Sequence, residues 1–290
     1  MPKDKIKKVV YTLGKTLGFL ALGYIFYKLS KEYTLESFID KFLSIKGVIV
    51  PLIIINLLSS VIGIYAWHKM LQAYATKSFD YISSYYYFAK TEISKYLPGN
   101  VFHFLSRQAL ASKIGISQID MAKISLFFTL SLMVATVLSS TIFALFVSNL
   151  DSYIKPLMLL GSLLSLVVIY FIYPALSKAT KSLTNAVLTF SISLQGVMLS
   201  LIIYSQISTL SVEQFFKIAS IYIISWLIGF VTPGASGGLG VREGAFLAIS
   251  NFVGLNIASE IVLFSILLIR LINIAVDILM FLSTLLLDKE

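Results

Sequence analysis

The sequence contains no cysteine and only two histidines among its 290 residues. The absence of cysteine excludes disulfides, thiolate metal sites and cysteine nucleophiles. His68 and His103 do not have the spacing of an HExxH zinc motif. Catalytic carboxylate pairs, a serine-histidine-aspartate set and a nucleophile elbow are also missing. We therefore predict no catalytic residues, no metal and no cofactor.

Charged residues are scarce as well. They make up 13% of the chain, whereas hydrophobic residues make up 58%, and the mean hydropathy is +0.89. Soluble domains are only about half apolar, so this composition indicates a polytopic membrane protein. A hydrocarbon core of about 30 Å needs about 20 apolar residues per helix. Six blocks reach that length: 9–30, 47–67, 124–147, 156–175, 186–206 and 261–287.

Two further regions are interrupted. Residues 81–105 contain three charged residues, and residues 215–257 hold two shorter apolar arms on either side of PGASGGLGVREG (233–244). Broken helices are tolerated in membranes only where protein or a wet cavity satisfies the freed backbone groups. The sequence thus predicts an all-α integral membrane protein with six full transmembrane helices and two broken, re-entrant helical hairpins.

The two interrupted regions share a pattern. A Pro-Gly pair at 98–99 is followed by Arg107, and a Pro-Gly pair at 233–234 is followed by Arg242 at the same spacing. Each region follows two candidate spans and precedes one, so each half crosses the bilayer an odd number of times and the second half is inverted. Chance occurrence of so short a motif is the alternative. The pattern predicts one transmembrane domain, 1–290, with pseudo-repeat halves of about 1–150 and 151–290.

Basic residues predict the orientation. With a cytoplasmic N-terminus, about twice as many lysines lie inside as outside, as the positive-inside rule requires. We therefore expect a multi-pass protein of the inner (cytoplasmic) membrane. The net charge of +9 follows from topology and attraction to anionic lipid, and no nucleic acid is needed to explain it. Gly14 and Gly18 in the first span would permit close helix packing or a homodimer.

The glycine segment is suited to bind an anion. A glycine turn that leads into a helix leaves N–H groups unpaired at the positive end of the helix dipole. Arg242 adds a planar donor for phosphate or carboxylate. In the alternative, the glycines pack a tight turn and Arg242 pairs with Glu243 or another acid. In the first region, Lys95, His103 and Arg107 are likewise interpreted as anion-binding residues. In the alternative, these side chains extend to the membrane interface.

Arg270 and Asp277 lie seven residues apart in the last span and therefore on one face of a helix. Charges within a membrane are costly and are expected to face the protein interior. They are interpreted as a headgroup contact or a gate, or alternatively as an ion pair that ties two helices together.

The segments KYLPGNVFHFLSRQ (95–108) and FVTPGASGGLGVREGAF (230–246) resemble the two signature segments of the lysylphosphatidylglycerol synthase transmembrane-region family. That family's membrane part is regarded as a lipid flippase, and the likeness covers nearly the whole chain. The sequence ends at Glu290 without a soluble aminoacyl-transferase domain, so lysine transfer is not expected. The matching motif residues are Lys95, Pro98, Gly99, Arg107, Pro233, Gly234, Gly237, Gly238, Gly240, Arg242 and Glu243.

These features together predict a flippase or transporter of an anionic lipid, either a phospholipid or a polyprenyl-phosphate-linked glycan. The alternatives are a non-catalytic partner of a cell-envelope glycosyltransferase or lipid-modifying enzyme, and an enzyme that adds a sugar or aminoacyl group to a lipid. The predicted substrate-binding residues are the eleven motif residues together with His103, Arg270 and Asp277.

Overall fold

The structure, a computed structural model, describes residues 35–75, 80–96, 102–111, 114–172, 177–207, 209–232, 238 and 240–287. Regular structure in these residues is entirely helical. The helices described are α1 (Leu35–Ser44), α2 (Lys46–Tyr74), α3 (Tyr81–Glu92), α4 (Phe102–Ala111), α5 (Gln118–Leu145), α6 (Ile154–Ile172), α7 (Lys178–Tyr204), α8 (Val212–Val231), α9 (Val241–Phe252) and α10 (Ser259–Thr284). A 3₁₀ turn, Ile93–Tyr96, follows α3.

Side-chain caps fix where four of these helices begin. Each capping side chain accepts a hydrogen bond from the backbone N–H three residues later, which satisfies one of the unpaired donors of the first turn. The capping residues are Asp80 for α3, Ser117 for α5, Ser177 for α7 and Ser211 for α8.

Six of the described helices are long and apolar enough to cross a membrane: α2, α5, α6, α7, α8 and α10. Five of them coincide with predicted apolar blocks, so the prediction of a multi-pass helical membrane protein is confirmed at this level. The predicted span 9–30 lies outside the described residues. The sixth observed candidate, α8, is an addition to the predicted set.

Helix α8 is longer than the sequence predicted. The sequence predicts only a shorter apolar arm at the start of the region 215–257, as half of a broken hairpin, but the helix covers Val212–Val231 and has the length of a span. Two charged residues near its start are held by other segments. The Glu213 carboxylate accepts the Asn149 N–H at 2.9 Å, and Lys217 Nζ donates to the Val253 carbonyl at 3.2 Å. The interruption therefore follows α8 and precedes the short helix α9.

The described residues of the first interrupted region form two short helices and the 3₁₀ turn between them. Helix α3 has 12 residues and α4 has 10. At 1.5 Å per residue, α3 is about 18 Å long, which is less than the roughly 30 Å of a hydrocarbon core. The predicted turn residues Pro98 and Gly99 lie outside the described residues.

Pairs of serines bring helices from the two halves of the chain together. The Ser59 hydroxyl donates to the Ser191 carbonyl at 2.9 Å, and the Ser191 hydroxyl donates to the Ser59 carbonyl at 2.8 Å. Ser140 and Ser220 form the same reciprocal pair at 3.0 Å in both directions. Small side chains of this kind let membrane helices approach closely. Helix α2 therefore packs along α7, and α5 packs along α8.

Candidate functional site

A cavity of about 480 Å³ lies among the helices and receives side chains from both interrupted regions. This volume is within the range of small-ligand sites. Its wall contains six of the predicted site residues: Lys95, His103, Arg107, Arg242, Arg270 and Asp277. Residues separated by more than 180 positions in the sequence thus line one space.

Ion pairs organise the first side of the cavity. Arg107 donates to Glu92 Oε2 at 2.8 Å, and Lys95 Nζ lies 3.2 Å from Glu92 Oε1. Glu92 therefore joins α3 to both the 3₁₀ turn and α4. The charge of Arg107 is thus compensated within the protein, and the side chain is buried instead of extending to the membrane interface.

Aromatic rings surround the same guanidinium group. Arg107 Cζ lies 4.5 Å from the centroid of Trp67, 5.1 Å from that of Phe88 and 5.8 Å from that of Phe128. A cation over an aromatic face is attracted by the ring quadrupole, and the attraction is greater where water is excluded. Arg107 is only 3% exposed, so its position is fixed by this packing.

The first interrupted region is tied to the last helix through Asp277. Lys95 Nζ lies 2.8 Å from Asp277 Oδ2, and the Tyr96 hydroxyl donates to the same oxygen. The alternative proposed for Asp277, an ion pair that joins two segments, is therefore what the structure contains. Its partner is Lys95, from the other half of the chain.

Glu243 occupies the start of α9 on the second side of the cavity. Its Oε2 accepts the Gly240 N–H at 2.8 Å, and its Oε1 lies 2.9 Å from Arg270. Arg270 also donates to the Gly238 carbonyl at 3.1 Å. The Gly240 N–H, predicted to be available to a ligand anion, is thus bonded to the protein's own carboxylate. Arg242, in the first turn of α9, lines the cavity beside this turn.

Two glycines allow the turn before α9 to lie against α8. Gly238 has a φ of +66°, and a Cβ atom there would come within 2.9 Å of the Gly229 carbonyl carbon. A Cβ on Gly229 would meet Gly238 Cα at 3.2 Å and Arg242 Cβ at 3.3 Å. This backbone contact sets where α9 begins and directs Arg242 to the cavity. The predicted residues Pro233, Gly234 and Gly237 lie outside the described residues.

Arg242 and His103 are buried in the cavity wall. Arg242 is 7% exposed, and the fully buried side chain of Tyr222 lies beside it and beside Arg270. Within the described part of the chain, His103 Nδ1 and Arg270 Nε have no hydrogen-bond partner. Buried polar groups are nearly always paired, so these two unpartnered atoms make the cavity a candidate site for a polar ligand.

Sequence reasoning missed the uncharged polar wall and the role of Glu92. Asn56, Gln195 and Asn273 line the cavity from three different helices. Each lies inside a long apolar block, and a strongly polar side chain at such a position is itself a signal of function or helix contact. Glu92 was counted only as one of the charges that interrupt the region 81–105.

The fold and the cavity together define a multi-pass helical membrane protein with a charged internal site. Comparison with known proteins adds no family to this class: no family model matches the sequence, and no curated protein is significantly similar to it.

Proposed function

We propose that the protein carries an anionic lipid headgroup across the membrane, as a flippase or transporter, while the lipid tails remain in the bilayer. The observation that supports this most strongly is the cavity itself. It unites Lys95 and Arg107 from the first interrupted region with Arg242 and Arg270 from the second part of the chain. Buried cations within a membrane protein are costly and mark substrate pathways.

The charge balance favours a ligand with one negative charge. Four cationic side chains line the cavity, and three carboxylates, Glu92, Glu243 and Asp277, pair with them. Among the described residues, these cations therefore outnumber the carboxylates by one. A phosphodiester, which carries a single negative charge, would balance this difference, and arginine suits phosphate through its planar set of donors.

The packing of the helices supports an inverted repeat. Exchanging α2 with α7, α3–α4 with α8–α9, and α5 with α10 converts each contact among these eight helices into an observed contact, and the α2–α7 contact into itself. Helix α2 packs against α5 as α7 packs against α10, and α3 packs against α10 as α8 packs against α5. Arg107 and Arg242 are 135 residues apart, and so are Pro98 and Pro233. Transporters of this plan bind substrate between the repeats and alternate by rocking one against the other.

The motif resemblance to the lysylphosphatidylglycerol synthase transmembrane region points to the same function. The lysine distribution supports a separate part of the proposal, that the protein lies in the inner membrane with a cytoplasmic N-terminus. No nucleotide-binding motif occurs in the sequence, so an ion gradient or the lipid gradient itself would drive the movement.

The first prediction concerns Arg242. Arg242→Gln removes the cation but keeps a polar side chain of similar reach, so the folded protein should lose most of its lipid movement. The measurement is the rate at which a fluorescent anionic phospholipid in proteoliposomes becomes accessible to an external quencher. Lys123→Gln is the matched control, because Lys123 is an exposed cation outside the cavity.

Arg242→Gln protein that moves the lipid as fast as the Lys123→Gln protein would contradict the assignment of Arg242. If the unmodified protein moves no anionic lipid, the flippase proposal fails. A partner role in a glycosyltransferase or lipid-modifying complex would then be the better interpretation.

A further inference from the structure

An uncharged wall of amide side chains faces the same cavity. The Asn56 amide nitrogen donates to the Asn273 side-chain oxygen, and Gln195 Nε2 donates to Asn56 Oδ1 at 3.1 Å. Gln195 Nε2 also lies 3.3 Å from Ser59 Oγ. These bonds join α2, α7 and α10 at one point of the cavity wall. Their mutual bonding holds the side chains in fixed orientations.

One donor and one acceptor of this cluster have no protein partner. Among the described residues, none accepts a hydrogen bond from Asn273 Nδ2 or donates one to Gln195 Oε1. Both side chains are partly exposed and line the cavity. An ammonium group can only donate, and phosphate oxygens can only accept, whereas a hydroxyl does both. A hydroxyl group can therefore accept a hydrogen bond from Asn273 Nδ2 and donate one to Gln195 Oε1.

The amide wall lies beside the cationic wall. On α10, Asn273 is three residues after Arg270 and four before Asp277, so the three side chains share one face of the helix. Three residues correspond to about 4.5 Å along the helix axis. A phosphate held near Arg270 and Arg242 would thus bring a hydroxyl on the adjoining carbon atoms within reach of Asn273.

We propose that the cavity selects headgroups that carry a hydroxyl close to their phosphodiester, as glycerol and sugar phosphates do. This inference rests on the proposed function and narrows its substrate class. Anionic lipids without a hydroxyl would satisfy the arginines but offer no partner to Asn273 Nδ2 and Gln195 Oε1. Sites that hydrogen-bond a substrate hydroxyl discriminate against analogues that lack it.

The test compares two lipids of equal charge in the same proteoliposome assay. Phosphatidylglycerol has hydroxyls on its headgroup, and phosphatidylethanol is a phosphodiester without any. The unmodified protein should move phosphatidylglycerol faster than phosphatidylethanol. The expected difference is roughly two- to tenfold for each hydrogen bond that phosphatidylethanol cannot form. Asn273→Leu and Gln195→Met should each bring the two rates together. Asn185→Leu and Gln206→Met, which remove amides outside the cavity, should preserve the preference.

Each result bears on the inference. A preference in the unmodified protein that disappears in either cavity variant supports it, and a parallel measurement with phosphatidylinositol shows whether glycerol or a ring polyol fits better. Equal rates for both lipids in the unmodified protein overturn it while the flippase proposal stands. A preference that persists in folded Gln195→Met and Asn273→Leu proteins also overturns it. If no lipid moves, both proposals fail together.

Discussion

Single residues at the cavity are held by more than one kind of interaction. Arg107 pairs with Glu92 and is enclosed by Trp67, Phe88 and Phe128. Without Arg107, Glu92 would keep only Lys95, which it shares with Asp277, and loss of a partner from a buried ion pair costs more than the pair itself contributes. The role of Arg107 is therefore to position α4 and the cavity wall as well as to supply charge.

This predicts a large effect on stability. Arg107→Met keeps an apolar stem among the rings but removes the charge, and it should lower the free energy of unfolding by about 3–5 kcal/mol. The measurement is thermal unfolding in detergent followed by tryptophan fluorescence, since Trp67 contacts the altered side chain. The matched control, Lys123→Met, breaks an exposed pair with Asp120 and should leave Tm almost unchanged. Equal Tm values for the two variants would contradict the structural role.

The charged residues that line the cavity could be singled out in the sequence because charges are rare within its apolar and interrupted segments. The ion-pair partners of these residues could not be predicted from the sequence. Arg270 and Asp277 share a helix face, but their partners are Glu243 and Lys95, which approach from other segments. Which faces of two helices meet depends on side-chain packing across the bundle, and helical periodicity reports only the face on each separate helix.

Among the elements, the contact between α8 and the turn before α9 controls where Arg242 lies. Gly238→Ala would place a side chain at a φ of +66° and within 2.9 Å of the α8 backbone. We expect it to lower the free energy of unfolding by about 1–3 kcal/mol. Gly244→Ala is the control inside α9, where a Cβ meets nothing within 4 Å and alanine should stabilise the helix by up to about 1 kcal/mol. Thermal unfolding of the two variants provides the measurement, and the reverse order of Tm would refute this account of the turn.

The sequence predicted that these elements are interrupted, because proline and glycine clusters separate apolar segments there. It underestimated α8, because hydropathy delimits an apolar segment and does not include the capped, polar first turn of the helix. Ser211 caps the helix, and Glu213 and Lys217 bind backbone groups of neighbouring segments. Charges satisfied in this way can lie at the start of a membrane-length helix, which hydropathy alone does not reveal.

At the scale of the whole molecule, the two sides of the proposed repeat differ in chemistry. Lys95 and Asp277 join the first interrupted region to α10. The positions related to them by 135 residues are Phe230 and Ile142, which carry no charge. The contact between the first interrupted region and α10 is therefore ionic. The corresponding positions in α8 and α5 carry apolar side chains. A repeated motif in the sequence suggests the plan of the molecule, but this asymmetry becomes visible only when the helices are assembled.

The most direct test of the central claim is to identify the lipids that remain bound to the purified protein by native mass spectrometry. If the cavity holds an anionic headgroup, the unmodified protein and Lys123→Gln should both retain a lipid phosphodiester, and Arg242→Gln should lose it. A zwitterionic lipid on all three proteins, or equal retention of the anionic lipid by Arg242→Gln, would contradict the account.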